Sequence, residues 1–314
     1  MGGGVWVTEV FDPYFAEIES RSEGRIKIEA HWGGELVNIM DAYDAAAGGT
    51  VDLAHFLPPM IAGRFPMDEV MTFGQYTNHC WKSSRVYHEL FNEFPDMRAP
   101  YNDTKIITQY VLYQRGLGNT KRPIYKLEDF AGLKLLSSGR WAGARIEALG
   151  ATPVSISPEE MFSSIQNGVI DGSWAVGFAL VDWGFGELFK YISDMSTPQA
   201  IMDITMNLNT WNSLPADLQQ IMADTGEWFV DYCDEAQLRV QNERIQAAKE
   251  QYDIQWNDIP QEEYERWVPA DRAVLDEYAT ELEEKGYPGY NLRDEFLKLE
   301  KKYSGMEYAP DWAK

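Results

Sequence analysis

The chain has 314 residues, room for two domains of ordinary size, and its 45% apolar and 25% charged composition is that of a soluble globular protein. Its formal charge of −23, from 27 Lys+Arg against 50 Asp+Glu, argues against nucleic acid or an anionic membrane as partner. A local cluster of arginine and amide dipoles can still hold a small anion, and no run of 18 apolar residues is present to span a membrane.

In chain order, "MGGGVWV" carries no basic segment followed by an apolar one, so the sequence as given shows no export leader and reads as a processed boundary. "RIKIEAHWGGEL" (25–36) reads as a strand and a glycine loop, and "AAAGGTVDLAHF" (45–56) as a helix end, Gly, two residues, Asp and an apolar strand. The same shape returns in "LKLLSSGRWAG" (133–143) and "SSIQNGVIDGSWA" (163–175), about 119 residues later. That echo predicts two similar α/β units, each with a central sheet. Residues 212–252 read as one long helix, with Ser213 as N-cap and Pro215 in the first turn. About 38 residues would reach roughly 57 Å, long enough to brace both units. "YDIQWND" then reads as a strand, 262–286 as a helix broken at Pro269, and the tail as a short helix with an irregular end.

Catalytic patterns are missing. There is no G-x-S-x-G elbow, and His31, His55, His79 and His88 stand in no triad-like context. Cys80 directly follows His79, but neighbouring side chains do not face each other; Cys80 and Cys233 together permit at most one disulfide. Glu159-Glu160 after Pro158 reads as the acidic first turn of a helix rather than a glycosidase pair. His31, Asp52 and His55 match no metal spacing, and no phosphate-binding glycine loop occurs. No enzyme, cofactor or metal is expected. Aromatics, by contrast, sit in glycine-rich junctions: Trp32, Trp141, Trp174 and Phe178. Each alone reads equally well as core filling; together they point to the lining of a ligand cleft.

The segments "GRIKIEAHWGGEL", "GTVDLAHFLPPMIAGRFP", "RPIYKLEDFAGLKL", "EALGATPVSISPEEMFSSIQNGVIDG" and "WNSLPADLQQIM" resemble, in order and over essentially the whole chain, the DctP-like solute-binding proteins of TRAP (tripartite ATP-independent periplasmic) transporters. The resemblance implies a two-lobed α/β periplasmic-binding-protein-like fold, each lobe a sheet flanked by helices, with a long helix bracing both. Lobe I would take residues 1–112 and lobe II 113–201; the chain would return to lobe I over 202–240 and to lobe II, with the C-terminal helices, over 241–314. It implies a periplasmic monomer whose leader is removed on export. Such a receptor closes on a small organic acid and delivers it to a permease of small and large membrane subunits. A ligand-sensing subunit of a signalling system is the alternative of the same binding class.

Against the family pattern, a first strand before the opening helix is missing from the sequence as given. The usual "GLKIR" is "GLKLL", with Leu136 where an arginine would pair with a carboxylate. Ala175 replaces the asparagine that commonly follows "DG", and Met67 the acidic residue after "FP". The expected ligand is therefore an apolar or aromatic monocarboxylate, or else a neutral solute. Its acid group would be held by Arg115 or Arg140, or by the Ser137-Ser138 loop and the helix that follows. Phe56, Met67, Leu136, Trp141, Trp174, Phe178 and Asn207 complete the implied lining.

Overall fold

The computed structural model describes residues 4–74, 80–112, 115–174, 176–196 and 200–306, with Arg115 and Ser196 described by backbone alone. A π-helical turn, Val7–Phe11, runs into α1 (Asp12–Arg21), followed by α2 (Ala42–Ala47) and β1 (Leu53–Phe56). Two 3-10 turns, Pro58–Met60 and Asp68–Phe73, precede α3 (Cys80–Glu93) and α4 (Pro95–Arg98). Then come β2 (Thr104–Leu112), β3 (Arg115–Asn119), β4 (Lys134–Leu136), α5 (Arg140–Ala148) and β5 (Thr152–Val154). α6 (Met161–Gln166), β6 (Gly172–Ser173), α7 (Phe178–Asp182), β7 (Tyr191–Ser196) and β8 (Ala200–Asn207) follow. The chain closes with α8 (Leu208–Ser213), α9 (Ala216–Gln251), β9 (Gln255–Asp258), α10 (Gln261–Glu284) and α11 (Gly289–Ser304).

Two sheets define two lobes. The first is antiparallel, in the order β1-β8-β2, with Phe56 opposite Asp203 and Leu112 opposite Ala200. Every residue of β8 is buried, the mark of a central strand covered on both faces. The second sheet runs β5-β4-β6-β3-β7-β9; β4 is parallel to β5 and β6, and β3 antiparallel to β6 and β7. The chain passes from the first sheet to the second between β2 and β3, and back between β7 and β8. The echo in the sequence is real in space: α2 turns into β1 through Gly49 (φ +76°), and α6 into β6 through Gly168 (φ +70°). Both occupy the left-handed region that favours glycine after a helix.

At 36 residues, α9 is about 54 Å long and serves both lobes. Its first half packs on β2, where the Thr108 hydroxyl donates to the Gly226 carbonyl at 2.8 Å. Its second half packs on α7, where Gln241 Oε1 accepts the Phe178 amide at 2.9 Å. Of the last elements, β9 joins the second sheet, α10 packs on α5, and α11 packs on α3 of the first lobe.

Three expectations are corrected. Residues 25–31 form no strand, although Ile26 and Ile28 alternate onto the first lobe's core as a strand would. Alternation fixes a face, but a strand exists only through ladder hydrogen bonds, and among the described residues this segment has none. Ser213 is not the cap of the long helix; it ends α8, which Asn207 caps by accepting the amides of Asn209 and Thr210. Finally, α10 runs unbroken through Pro269. Pro269 and Glu265, whose carbonyl the proline leaves unbonded, both face solvent, so water can take that bond.

Candidate functional site

Residues 132–141 run from the core of the second lobe to the core of the first. At its start Leu136 is half-buried at the edge of an apolar cluster of the second lobe that also holds Phe178. The Phe178 ring stacks on Trp6 (5.2 Å between centroids) and meets Trp183 edge-on at 5.0 Å. At its end Trp141 is buried with Met67 and Val70 in the first lobe's core, edge-on to Tyr278 at 5.3 Å.

Between these anchors the loop is held by its own bonds. The Ser137 amide donates to the Val154 carbonyl at 3.0 Å, and its hydroxyl to the Gly139 carbonyl at 2.6 Å. Ser138 is half-buried. Gly139 passes so close to the first lobe that a Cβ there would lie 2.8 Å from the Pro59 carbonyl oxygen. Arg140 is exposed, ion-paired with Glu281 of α10, with its guanidinium 4.8 Å from the Trp141 ring centroid. The Trp141 amide donates to Glu69 Oε2 at 3.3 Å, so the first turn of α5 already holds a carboxylate.

The structure thus brings Leu136 and Phe178 together at one end of the loop, and Met67, Arg140 and Trp141 at the other. Phe56 lies apart, fully buried against Tyr43 and Phe65. Trp174 is buried with Leu117, Phe130 and Leu135 in a third cluster. Asn207 is engaged through both side-chain atoms, accepting at the start of α8 and donating to the Ala46 carbonyl at 2.7 Å. Phe56, Met67 and Asn207 therefore present a packed or bonded side chain rather than a free one. The Arg115 side chain and Ala175 lie outside the described residues.

Glu69, which meets the loop, adjoins Asp68, and Asp68 shares the Tyr87 hydroxyl with Asp203; all three acids are buried. Burial pushes Glu69 up to about 7, opposed by the Trp141 amide and the Arg140 charge. Burial also raises Asp68 to about 7, against hydrogen bonds from Tyr87 and Tyr101, and raises Asp203 well above its usual range. His55, edge-on to Phe11 and stacked on Tyr110, is lowered by burial to about 4 and stays neutral. Cys80 and Cys233 are free thiols in the core, raised by burial. Among the described residues no three His, Cys, Asp or Glu side chains gather as a metal site. Sequence reasoning missed Trp6, Trp183 and Glu69, since nothing local to any of them reveals the partner it meets.

Residues 5–281 match the family described as bacterial extracellular solute-binding protein, family 7, DctP. The C4-dicarboxylate-binding periplasmic protein DctP of Rhodobacter capsulatus is 23% identical over 269 residues, 84% of this chain and 80% of that protein. A monocarboxylate 2-oxoacid-binding periplasmic protein of Nostoc sp. is 25% identical over 212 residues, 65% of this chain and 57% of its own. In fold, a TRAP solute-binding protein from Rhodoferax ferrireducens, solved with copurified benzoate, aligns with a TM-score of 0.85 at 22% identity, covering 97% of this chain and 96% of that one. A TRAP periplasmic solute-binding protein of Bordetella bronchiseptica with bound mandelate gives 0.85 at 16% identity, covering 96% of each chain. With two sheeted lobes, a shared long helix and a family match over nearly the whole chain, this protein belongs to the DctP family of bacterial extracellular solute-binding proteins, the TRAP receptors.

Proposed function

We propose that the protein is the periplasmic receptor of a TRAP transporter for an apolar, most simply aromatic, monocarboxylate, which it delivers to the membrane permease. Leu136 carries the reading: a half-buried aliphatic group, packed on the same apolar cluster as Phe178 and Trp183, stands where the family resemblance implies an arginine that would pair with a carboxylate. A second buried carboxylate without a cation costs several kcal/mol, roughly the difference that would separate a diacid from a monoacid here. The first turn of α5 is engaged by Glu69 and Arg140 by Glu281, which leaves Arg115 as the candidate for the single carboxylate. The benzoate and mandelate of the two structural relatives fit this chemistry, as does the metahydroxyphenylacetate of a marine metagenome receptor with a TM-score of 0.85. Relatives at 0.78 hold pyroglutamic acid or β-D-glucuronate, so the fold alone does not choose the ligand.

A thermal-shift screen tests this. Benzoate or mandelate at a hundredfold excess over Kd adds about 2.7 kcal/mol of stability to a receptor that binds it. These acids are expected to raise Tm more than succinate or sialate, and Arg115→Ala to abolish the shift far more than Arg140→Ala. Selection of a dicarboxylate or a sugar acid would overturn the apolar reading and leave the family membership standing.

A further inference from the structure

We propose that Glu69 is a positioning residue for ligand binding: reaching from the first lobe, its carboxylate caps α5 of the second lobe and so sets the loop Ser137–Arg140. The proposal rests on the reading of that loop as a wall of the cleft.

The first amides of a helix have no intrahelical acceptor, and α5 brings no cap of its own, because its N-cap residue is Gly139. The Trp141 amide finds Glu69 Oε2 instead, 72 residues upstream and on the other lobe. The positive end of the helix favours an anion at this point. Glu69 is held to aim there. It is 9% exposed, its carbonyl accepts the Thr72 hydroxyl at 2.8 Å, and its neighbour Asp68 accepts the hydroxyls of Tyr87 at 2.5 Å and Tyr101 at 2.7 Å. The fit is closed around the backbone: a Cβ on Gly139 would lie 3.5 Å from Glu69 Oε2 as well as against Pro59. One residue thus links the 3-10 turn Asp68–Phe73, which packs on β8, to a loop whose other end is Leu136.

The charges facing Glu69 come from three elements. Asp68 lies on its own turn, Arg140 on α5, and Glu281 and the Tyr278 hydroxyl on α10, with Lys285 at its C-cap. Burial outweighs the favourable partners and lifts the carboxyl to about 7 where the lobes meet. Protonated or ionised, the carboxyl keeps an oxygen that can accept the Trp141 amide.

The test uses the full chain with Glu69→Ala and Glu69→Gln, whose amide oxygen can still accept from Trp141. Without ligand, the hydrogen-exchange protection of the Trp141 amide is expected to fall about tenfold in Glu69→Ala, the equivalent of one hydrogen bond, and to persist in Glu69→Gln. With benzoate as the calorimetric probe at pH 7, Glu69→Gln should bind as the native protein does and Glu69→Ala about tenfold more weakly. Unchanged Trp141 protection or native benzoate affinity in Glu69→Ala overturns the proposal. If the native protein binds no aromatic acid, the ligand reading falls, and amide exchange alone decides the role of Glu69. Should Glu69→Ala not fold, Glu69→Gln decides it: loss of Trp141 protection or of benzoate affinity there overturns the proposal.

Discussion

Replacing Asp68 with asparagine is expected to stabilise the protein increasingly as pH rises. Asp68 is fully buried, and its Oδ1 accepts both the Tyr87 and the Tyr101 hydroxyl. Tyr87 also approaches Asp203 Oδ2 at 3.3 Å, the atom that accepts the Gln109 amide at 3.3 Å. Among the described residues, Asp68 Oδ2 and Asp203 Oδ1 are buried without a hydrogen-bond partner. Two carboxyls in one dry network cannot both ionise cheaply, so the pair retains a proton near neutrality. Burial raises Asp68 from 3.8 to about 7, with the nearby Glu69 charge adding and the two tyrosines opposing. The folded state then holds a proton that the unfolded chain releases. Stability is accordingly lost as pH climbs from about 4 to about 7, at about 1.4 kcal/mol per pH unit, and is constant above. Asparagine has no such term and can accept the same tyrosine hydroxyls. The stability of Asp68→Asn relative to the native protein should therefore grow by about 1.6 kcal/mol between pH 5.5 and pH 7 and by only a few tenths more by pH 8. Urea unfolding at matched ionic strength measures it, and taking the difference between the two proteins cancels the self-repulsion of a chain with 23 excess negative charges. A difference that is flat across this range would refute the retained proton, and one that shrinks would mean the carboxylate is stabilised in its ionised form.

Two further substitutions separate packing from binding. Trp174→Ala empties a site in the second lobe's core and should cost about 3–5 kcal/mol, read as a lower urea midpoint; a small cost would mean that the indole faces the cleft instead. Arg145 bonds Asp271 of α10 at 2.9 Å and the Thr72 carbonyl of the first lobe, all buried. Arg145→Met should cost about 3–5 kcal/mol, and adding Asp271→Leu should recover most of it, because an apolar pair avoids the uncompensated charge; no recovery would locate the loss in the Thr72 contact.

The parts of the fold legible in the sequence are those with a local cause. The helix–glycine–strand echo, the 36-residue brace and strand β9 follow from periodicity and turn residues read over about a dozen positions. Residues 25–31 show the limit of that reading. Ile26 and Ile28 announce correctly which side meets the core, but the ladder that makes a strand depends on a neighbour the local pattern does not contain. Pro269 shows the opposite case, in which a local breaker is overridden because tertiary packing of Trp267, Val274 and Leu275 holds the helix on both sides of it.

The loop from Leu136 to Trp141 divides along the same line. Strand, polar turn and helix start are local, and each stands where the sequence puts it. What the side chains do there is not local. Trp141 reads identically whether it lines a cleft or packs under Tyr278, which lies 137 residues downstream. Arg140 reads as a free cation until Glu281 is seen beside it, and the first turn of α5 as an open anion site until Glu69 is seen in it. Each of these partners belongs to the other lobe or to α10, so none can be inferred from residues 132–154. The chemistry of a cleft between two lobes is set by which groups the far side brings to it. Here the far side brings a carboxylate to the helix and a counter-charge to the arginine. If this loop lines the cleft as proposed, an incoming acid must compete with both, unless it is held by a group that neither lobe has already engaged.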